Sequence, residues 1–136
     1  MFLLDTNVIS ELPRPRPDPG VLSWLAELDA IALASITVEE LVYGVERARA
    51  KERERLRRWL DALLNTRPTV VAVDERVARI AGTLRATREA SGRKVSQADM
   101  LIAACAVSGG LVLATRNVRD FDGCGVPLFD PFRTQR

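Results

Sequence analysis

FLLDTNVISEL, residues 2–12, sets the pattern of the chain: an apolar run is cut short by an acid and then turns helical. Phe2 to Asp5 reads as a short strand, and TNVISEL runs on from it as a helical turn. The same alternation repeats downstream. PRPRPDPG, residues 13–20, is a loop, because proline blocks helix and removes backbone donors. Asp18 then Pro19 is a helix cap with proline at the first helical position, and Leu22, Leu25 and Leu28 continue at helical spacing. Residues 30–36 form a second apolar strand, after which Thr37 opens a helix carrying Leu41, Val45 and Ala48. Another amphipathic helix puts Leu56, Trp59, Leu60 and Leu63 on one face. Residues 69–73 are a β-branched strand, and Asp74 caps a helix whose Val77, Ile80, Ala81 and Leu84 share a face. Ser96 starts a strongly apolar helix over residues 98–107, which Gly109 and Gly110 end. Residues 111–115 and 126–129 are the last two strands. Five short strands separated by helices imply an α/β fold: three layers, α/β/α, around a central parallel sheet. In such sheets ligands bind beyond the carboxyl ends of the strands.

The length of 136 residues fits a single domain spanning 1–136, large enough to bury a core without a disulfide or structural metal. A hydrophobic fraction of 47% is ordinary for a globular chain, and no apolar run reaches bilayer-spanning length. MFLLDTN has no basic region ahead of its apolar residues and carries a charge at Asp5, so it is not a signal peptide. Two cysteines, Cys105 and Cys124, suit a reduced, cytoplasmic protein. The absence of histidine removes the commonest general base and the commonest transition-metal ligand, leaving carboxylates to carry any chemistry. A zinc site would have to rest on two distant cysteines. Of the 20 basic residues all but Lys51 and Lys94 are arginine, whose planar fork matches phosphate oxygens.

The acids fall where this architecture places a site. Asp5 ends the first strand, Glu40 lies in the first turn after the second, and Asp99 in the first turn of the helix that Ser96 opens. Asn117 and Asp120 follow the strand at residues 111–115, so all five are expected at one edge of the sheet. Like charges brought together disfavour mutual ionisation, and a divalent cation relieves that cost. Mg²⁺ and Mn²⁺ prefer oxygen ligands and activate water for attack on a phosphodiester without a histidine. Each acid also has a plainer reading. Thr37 with Glu40, and Ser96 with Asp99, match capping boxes, and Asn117 and Asp120 suit an ordinary turn. Asp5 has no such clear capping need.

FLLDTNVISEL, SITVEELVYGV, SQADMLIAACAV and LVLATRNVRDF together resemble the PIN-domain family, most closely its VapC and FitB type of bacterial toxin. The resemblance covers nearly the whole chain, in order. It implies a compact α/β/α fold, Mg²⁺- or Mn²⁺-dependent endoribonuclease activity on RNA, a cognate VapB-like antitoxin and a homodimer. It matches Asp5 to the first metal-binding aspartate, Glu40 to the acid before the Leu-x-x-Gly stretch, and Asp99 to the main acid of the third motif. Asp5 and Asp99 are then the metal ligands, and Glu39 is set aside as pointing elsewhere on its helix. The fourth position is open between Asn117, where many relatives carry aspartate, and Asp120. Asparagine adds no negative charge, which argues against a strongly held second metal. Thr6, Asn7, Thr115 and Arg116 are expected to support the site or to be structural.

Residues 46–58, ERARAKERERLRR, hold seven basic and three acidic residues, a solvated helical face or an electropositive rim for RNA. Trp24 and Trp59 occupy apolar helical positions and read as core or interface. The two helices after Glu40 resemble the family's antitoxin and dimer surface, with Tyr43, Val45 and Trp59 in its groove. A haloacid-dehalogenase-like phosphatase would want an acid where Asn7 stands, and a receiver domain would want a lysine where neither Lys51 nor Lys94 lies. A PIN-like scaffold that binds RNA or protein without cutting is the remaining alternative.

Overall fold

The structure is a computed structural model and describes residues 1–133. Residues 134–136, the end of the expected domain, lie outside the described residues. Five strands, β1 (Phe2–Leu4), β2 (Ile31–Ala34), β3 (Thr69–Val71), β4 (Val112–Ala114) and β5 (Leu128–Phe129), form one sheet in the order β3-β2-β1-β4-β5. Every pairing is parallel, with Leu3 opposite Ala32 on one side and Leu113 on the other. The helices are α1 (Thr6–Ile9), α2 (Pro19–Ala26), α3 (Ser35–Glu46), α4 (Ala50–Asn65), α5 (Glu75–Ala90), α6 (Gln97–Gly109) and α7 (Val118–Phe121), followed by a 3₁₀ turn at Pro131–Arg133.

Strand alternation divides the core into two. Leu3, Ala32, Ala34 and Leu113 face one cluster with Val77 and Ala81 of α5, Met100 and Ile102 of α6, and Phe121 of α7. Leu4, Leu33 and Ala114 face the other, with Ile9 of α1, Leu41 and Val45 of α3 and Leu60 of α4. Successive strand residues point to opposite faces, so strands covered on both sides are apolar at every position, as β1, β2 and β4 are; the edge strand β3, with Thr69 and Val70 exposed, is not. Helix α6 carries five consecutive buried residues, Ile102–Ala106, packed between α5 and the sheet. A helix apolar on all sides belongs in the interior. It ends at Gly110, whose φ of 62° is the left-handed conformation that glycine adopts without strain.

Several expected boundaries move. Strand β2 is shorter than residues 30–36, and α3 begins at Ser35 rather than behind a Thr37 cap. Ala34 occupies the cap position and the helix has no side-chain cap bond. Thr37 is fully buried with its hydroxyl 3.2 Å from that of Thr6, so tertiary contact has taken the group that local sequence assigned to capping. Ala48 falls beyond α3 and Leu28 beyond α2. Strand β3 stops at Val71, and the Val73 N–H turns aside to the Ser35 hydroxyl at 3.2 Å. The expected caps at Asp18, Asp74 and Ser96 all accept backbone N–H groups. The helical turn α7, not foreseen, lifts Asp120 out of a simple turn.

Candidate active site

The chain runs outward from β1 to β2 and β3 on one side, then returns to place β4 and β5 on the other. The crevice between the carboxyl ends of β1 and β4 is therefore the point where strand order reverses, the usual ligand position in open parallel sheets. Asp5 stands there, with its N–H bonded to the Ala114 carbonyl at 2.9 Å. Its carboxylate is 5% exposed and doubly held. Oδ1 accepts the Thr6 N–H at 2.7 Å and Oδ2 accepts the Thr115 hydroxyl at 2.8 Å. Asp5 is thus also the N-cap of α1, a local role that the sequence did not make clear.

Thr6 carries the connection to α3. Its hydroxyl donates to Glu40 Oε1 at 2.6 Å. Because α3 starts at Ser35, Glu40 lies beyond the first turn, and its carboxylate is tied to Thr6 rather than to a helix end. Glu39 is exposed. On α6, the Asp99 N–H donates to Ser96 Oγ at 2.9 Å, so half of that capping box forms. Thr115, fully buried, also accepts the Asn117 N–H at 3.0 Å, and Asn7 Oδ1 accepts the Arg116 N–H at 3.3 Å. These bonds lock the turn after β1 to the turn after β4. Arg116 itself lies over the Phe132 ring at 4.5 Å.

Electrostatics show which acids share a field. Burial is the main cause that lifts the Asp5 carboxyl from 3.8 to about 6; the Thr115 hydroxyl opposes it, Asp99 adds to it, the Thr6 N–H opposes it and Glu40 adds to it. Asp99 is also raised, first by burial, against the Ser96 hydroxyl, with Asp120 and Glu40 adding to the rise. Asp5 thus lies in the field of Asp99 and Glu40, and Asp99 in the field of Asp120 and Glu40; Asp120, which is exposed, is not among the charges that act on Asp5. Asn117 is exposed at the N-cap position of α7, without a side-chain cap bond.

The donor set suits a hard cation: it is carboxylate only, partly dehydrated and mutually repulsive. Among the described residues no three acid or cysteine side chains form a ready cage. Mg²⁺ fits such a loose ring, since it keeps several waters and takes only one or two carboxylates from the protein. Cys105 is buried with its thiol pushed up to about 11 by desolvation, which makes it an inert core group.

Two anchoring residues were missed in the sequence. Glu11, 6% exposed, accepts the Asp18 N–H on Oε2 at 2.7 Å and Arg14 on Oε1 at 3.2 Å, which fixes the proline loop. Arg88, also 6% exposed, donates to the backbone carbonyls of Asp120 and Asp122. Its signal was visible in outline: Val77, Ala81, Leu84 and Arg88 fall at helical spacing, which puts an arginine on an apolar face.

A PIN-domain family model matches residues 2–123. The chain belongs to the PIN-domain family. Toxin FitB of Neisseria gonorrhoeae (strain ATCC 700825 / FA 1090) is 37% identical over 139 residues, covering 97% of this chain and 99% of the relative. VapC ribonuclease Y4jK of Sinorhizobium fredii (strain NBRC 101917 / NGR234) is 34% identical over 137 residues, covering 97% and 98%. The crystal structure of FitAcB from Neisseria gonorrhoeae superposes on this PIN domain with a TM-score of 0.87 at 36% identity, covering 98% of this chain and 99% of that one. PIN-domain ribonucleases depend in general on a divalent metal. Among the described residues of this PIN domain no helix is long and apolar enough to cross a membrane.

Proposed function

We propose that this PIN domain is the toxin of a toxin–antitoxin pair, an endoribonuclease that hydrolyses RNA phosphodiester bonds at the Asp5, Glu40, Asp99 and Asp120 set. The observation that carries the reading is the buried Asp5 at the β1–β4 crevice, its carboxyl lifted by burial and by the charges of Asp99 and Glu40. Such an arrangement stores repulsion that a divalent cation relieves. The relatives support the reading, one named a ribonuclease and the other a toxin. The site lies in residues 1–136 acting as one domain in the cytoplasm.

Asp5 and Asp99 would hold the cation, Mg²⁺ or Mn²⁺, which when bound would supply Lewis-acid polarisation of the phosphate and activation of water. The chain's own groups do the rest. Thr115 and the Thr6 N–H keep the Asp5 carboxylate aimed and ionised against its burial. Glu40, with Oε1 tied to Thr6, offers its other oxygen to the proton released in the attack. Asp120 supplies the fourth charge beside Asp99, while Asn117, at the mouth, offers its amide to a phosphate or a water. Purified protein incubated with total RNA tests the activity. Cleavage in Mg²⁺ or Mn²⁺ that stops with EDTA is expected; no cleavage by wild type in either metal would leave a non-cutting RNA- or protein-binding module.

The partner is a small VapB-like antitoxin, and the toxin pairs as a homodimer. A cleft of about 340 Å³ beside Glu40 is lined by Leu41, Val45, Leu56, Trp59, Pro13 and Pro15, an apolar seat for a partner segment. Tyr43, 60% exposed and stacked with Arg47, lies outside this lining. Hydrogen exchange with and without the antitoxin encoded beside the gene checks the seat: protection is expected along α3 and α4, and none there would refute it.

A further inference from the structure

We propose that a second cavity, built by the end of α5, the start of α6 and α7, is a subsite for a backbone phosphate of the RNA next to the one being cut. This rests on the nuclease reading above and extends it. The cavity, about 260 Å³, has Arg88, Arg93, Lys94 and Arg119 on its wall together with Asp99 and Asp120. It therefore shares two acids with the candidate active site and faces them with four cations.

The cations are not spent on one another's charge. Among the described residues none of the four makes an ion pair. Arg88 is committed to the carbonyls of Asp120 and Asp122, and Arg93 makes longer bonds to the carbonyls of Arg119 and Asp122 at 3.4 Å and 3.3 Å. Carbonyl dipoles fix these guanidinium groups in place without neutralising them. The side chains of Lys94 and Arg119 make no hydrogen bond or ion pair among the described residues. Lys94 is a mobile point charge and Arg119 a planar fork, both suited to phosphate oxygens.

Position decides the ligand. A single strand whose scissile phosphate sits at Asp99 carries its neighbouring phosphate one step along the backbone, into a pocket of opposite sign. The basic stretch at residues 46–58 competes less well for this task. Arg55 is neutralised by Glu52 and Arg57 by Glu46, and none of the stretch's cations lines the cavity that holds Asp99 and Asp120. Residues 46–58 were open between a solvated helical face and an electropositive rim; the positive charge that lines a cavity with Asp99 and Asp120 lies between α5 and α7.

The test compares two double variants with equal charge loss, Lys94→Gln with Arg119→Gln in the cavity, and Lys51→Gln with Arg58→Gln on α4. Anisotropy of a short fluorescein-labelled single-stranded RNA, in EDTA and over a NaCl series, reads affinity and its salt slope. Steady-state cleavage reads KM and kcat. The cavity pair is expected to weaken binding about tenfold, to lower the salt slope by roughly 0.7, the value for one phosphate of a single strand, and to raise KM with kcat within about twofold. The α4 pair is expected to change binding less than about twofold. Equal losses from both pairs, or none from the cavity pair in a protein that cuts RNA, would overturn the subsite alone. Wild type that neither binds nor cuts RNA would overturn the nuclease reading and the subsite with it.

Discussion

Asp5 shows how much of the site resides in one residue. It ends a central strand, caps α1, accepts two hydrogen bonds and is still left with a carboxyl lifted from 3.8 to about 6, chiefly by burial. The folded protein therefore keeps a proton between those values that the unfolded chain has released. The contribution of Asp5 to the stability of the metal-free protein falls as pH rises through that window and is level above it, by roughly 3 kcal/mol in all. Asp5→Asn keeps the shape and removes the charge. Urea unfolding in EDTA is expected to show the variant more stable than wild type by about 2–3 kcal/mol at pH 8 and equal to it below pH 4. Parallel pH profiles for the two proteins would show that burial of this charge is not what destabilises the site. Glu40 is the counterpart case. Its spacing from Thr37 suggested a capping box, yet the bond it makes reaches across the chain to Thr6, and no local pattern encodes a contact between residues so far apart.

At the scale of elements, helix faces and three caps were legible, while the Thr37 and Asp5 caps and the strand ends were not. Asp18, Asp74 and Ser96 cap as their spacing requires, because an N-cap is a bond within three residues. Strand lengths depend on how far neighbours pair, so β2 and β3 end earlier than their apolar runs suggest. The turn α7 was missed because four residues carry too little periodicity, and because what fixes it is Arg88 of α5. Arg88→Met removes those bonds while filling the volume. It is expected to cost on the order of 3 kcal/mol, since two carbonyls lose a charged donor, and to speed amide exchange across Val118–Phe121 well before global unfolding. Unchanged exchange in that turn would show that β4 and β5 alone hold it. The variant also bears on the site, because Asp120 rides on the same turn and couples to Asp99.

For the whole molecule, the alternation of short apolar runs with helices was enough for three layers and a parallel sheet, since that arrangement buries both faces of the central strands. Strand order was not written in any local pattern. The return of the chain from β3 to the far side of β1 makes the β1–β4 crevice, and that crevice turns scattered acids into one electrostatic set. The family resemblance proposed more of the site residues than spacing alone and left the fourth corner open between Asn117 and Asp120; both are exposed, and Asp120 is the one that acts on the Asp99 carboxyl. The central claim is that Asp5 and Asp99 jointly enable metal-dependent RNA cleavage. The most direct measurement is the initial rate on one labelled RNA in Mn²⁺ for wild type, Asp5→Asn, Asp99→Asn and the double variant. Each single variant is expected to lose about a hundredfold or more, several kcal/mol of barrier, with little further loss in the double, as groups acting as one unit behave. Cleavage by either single variant at the wild-type rate, under the same metal and pH, would contradict it.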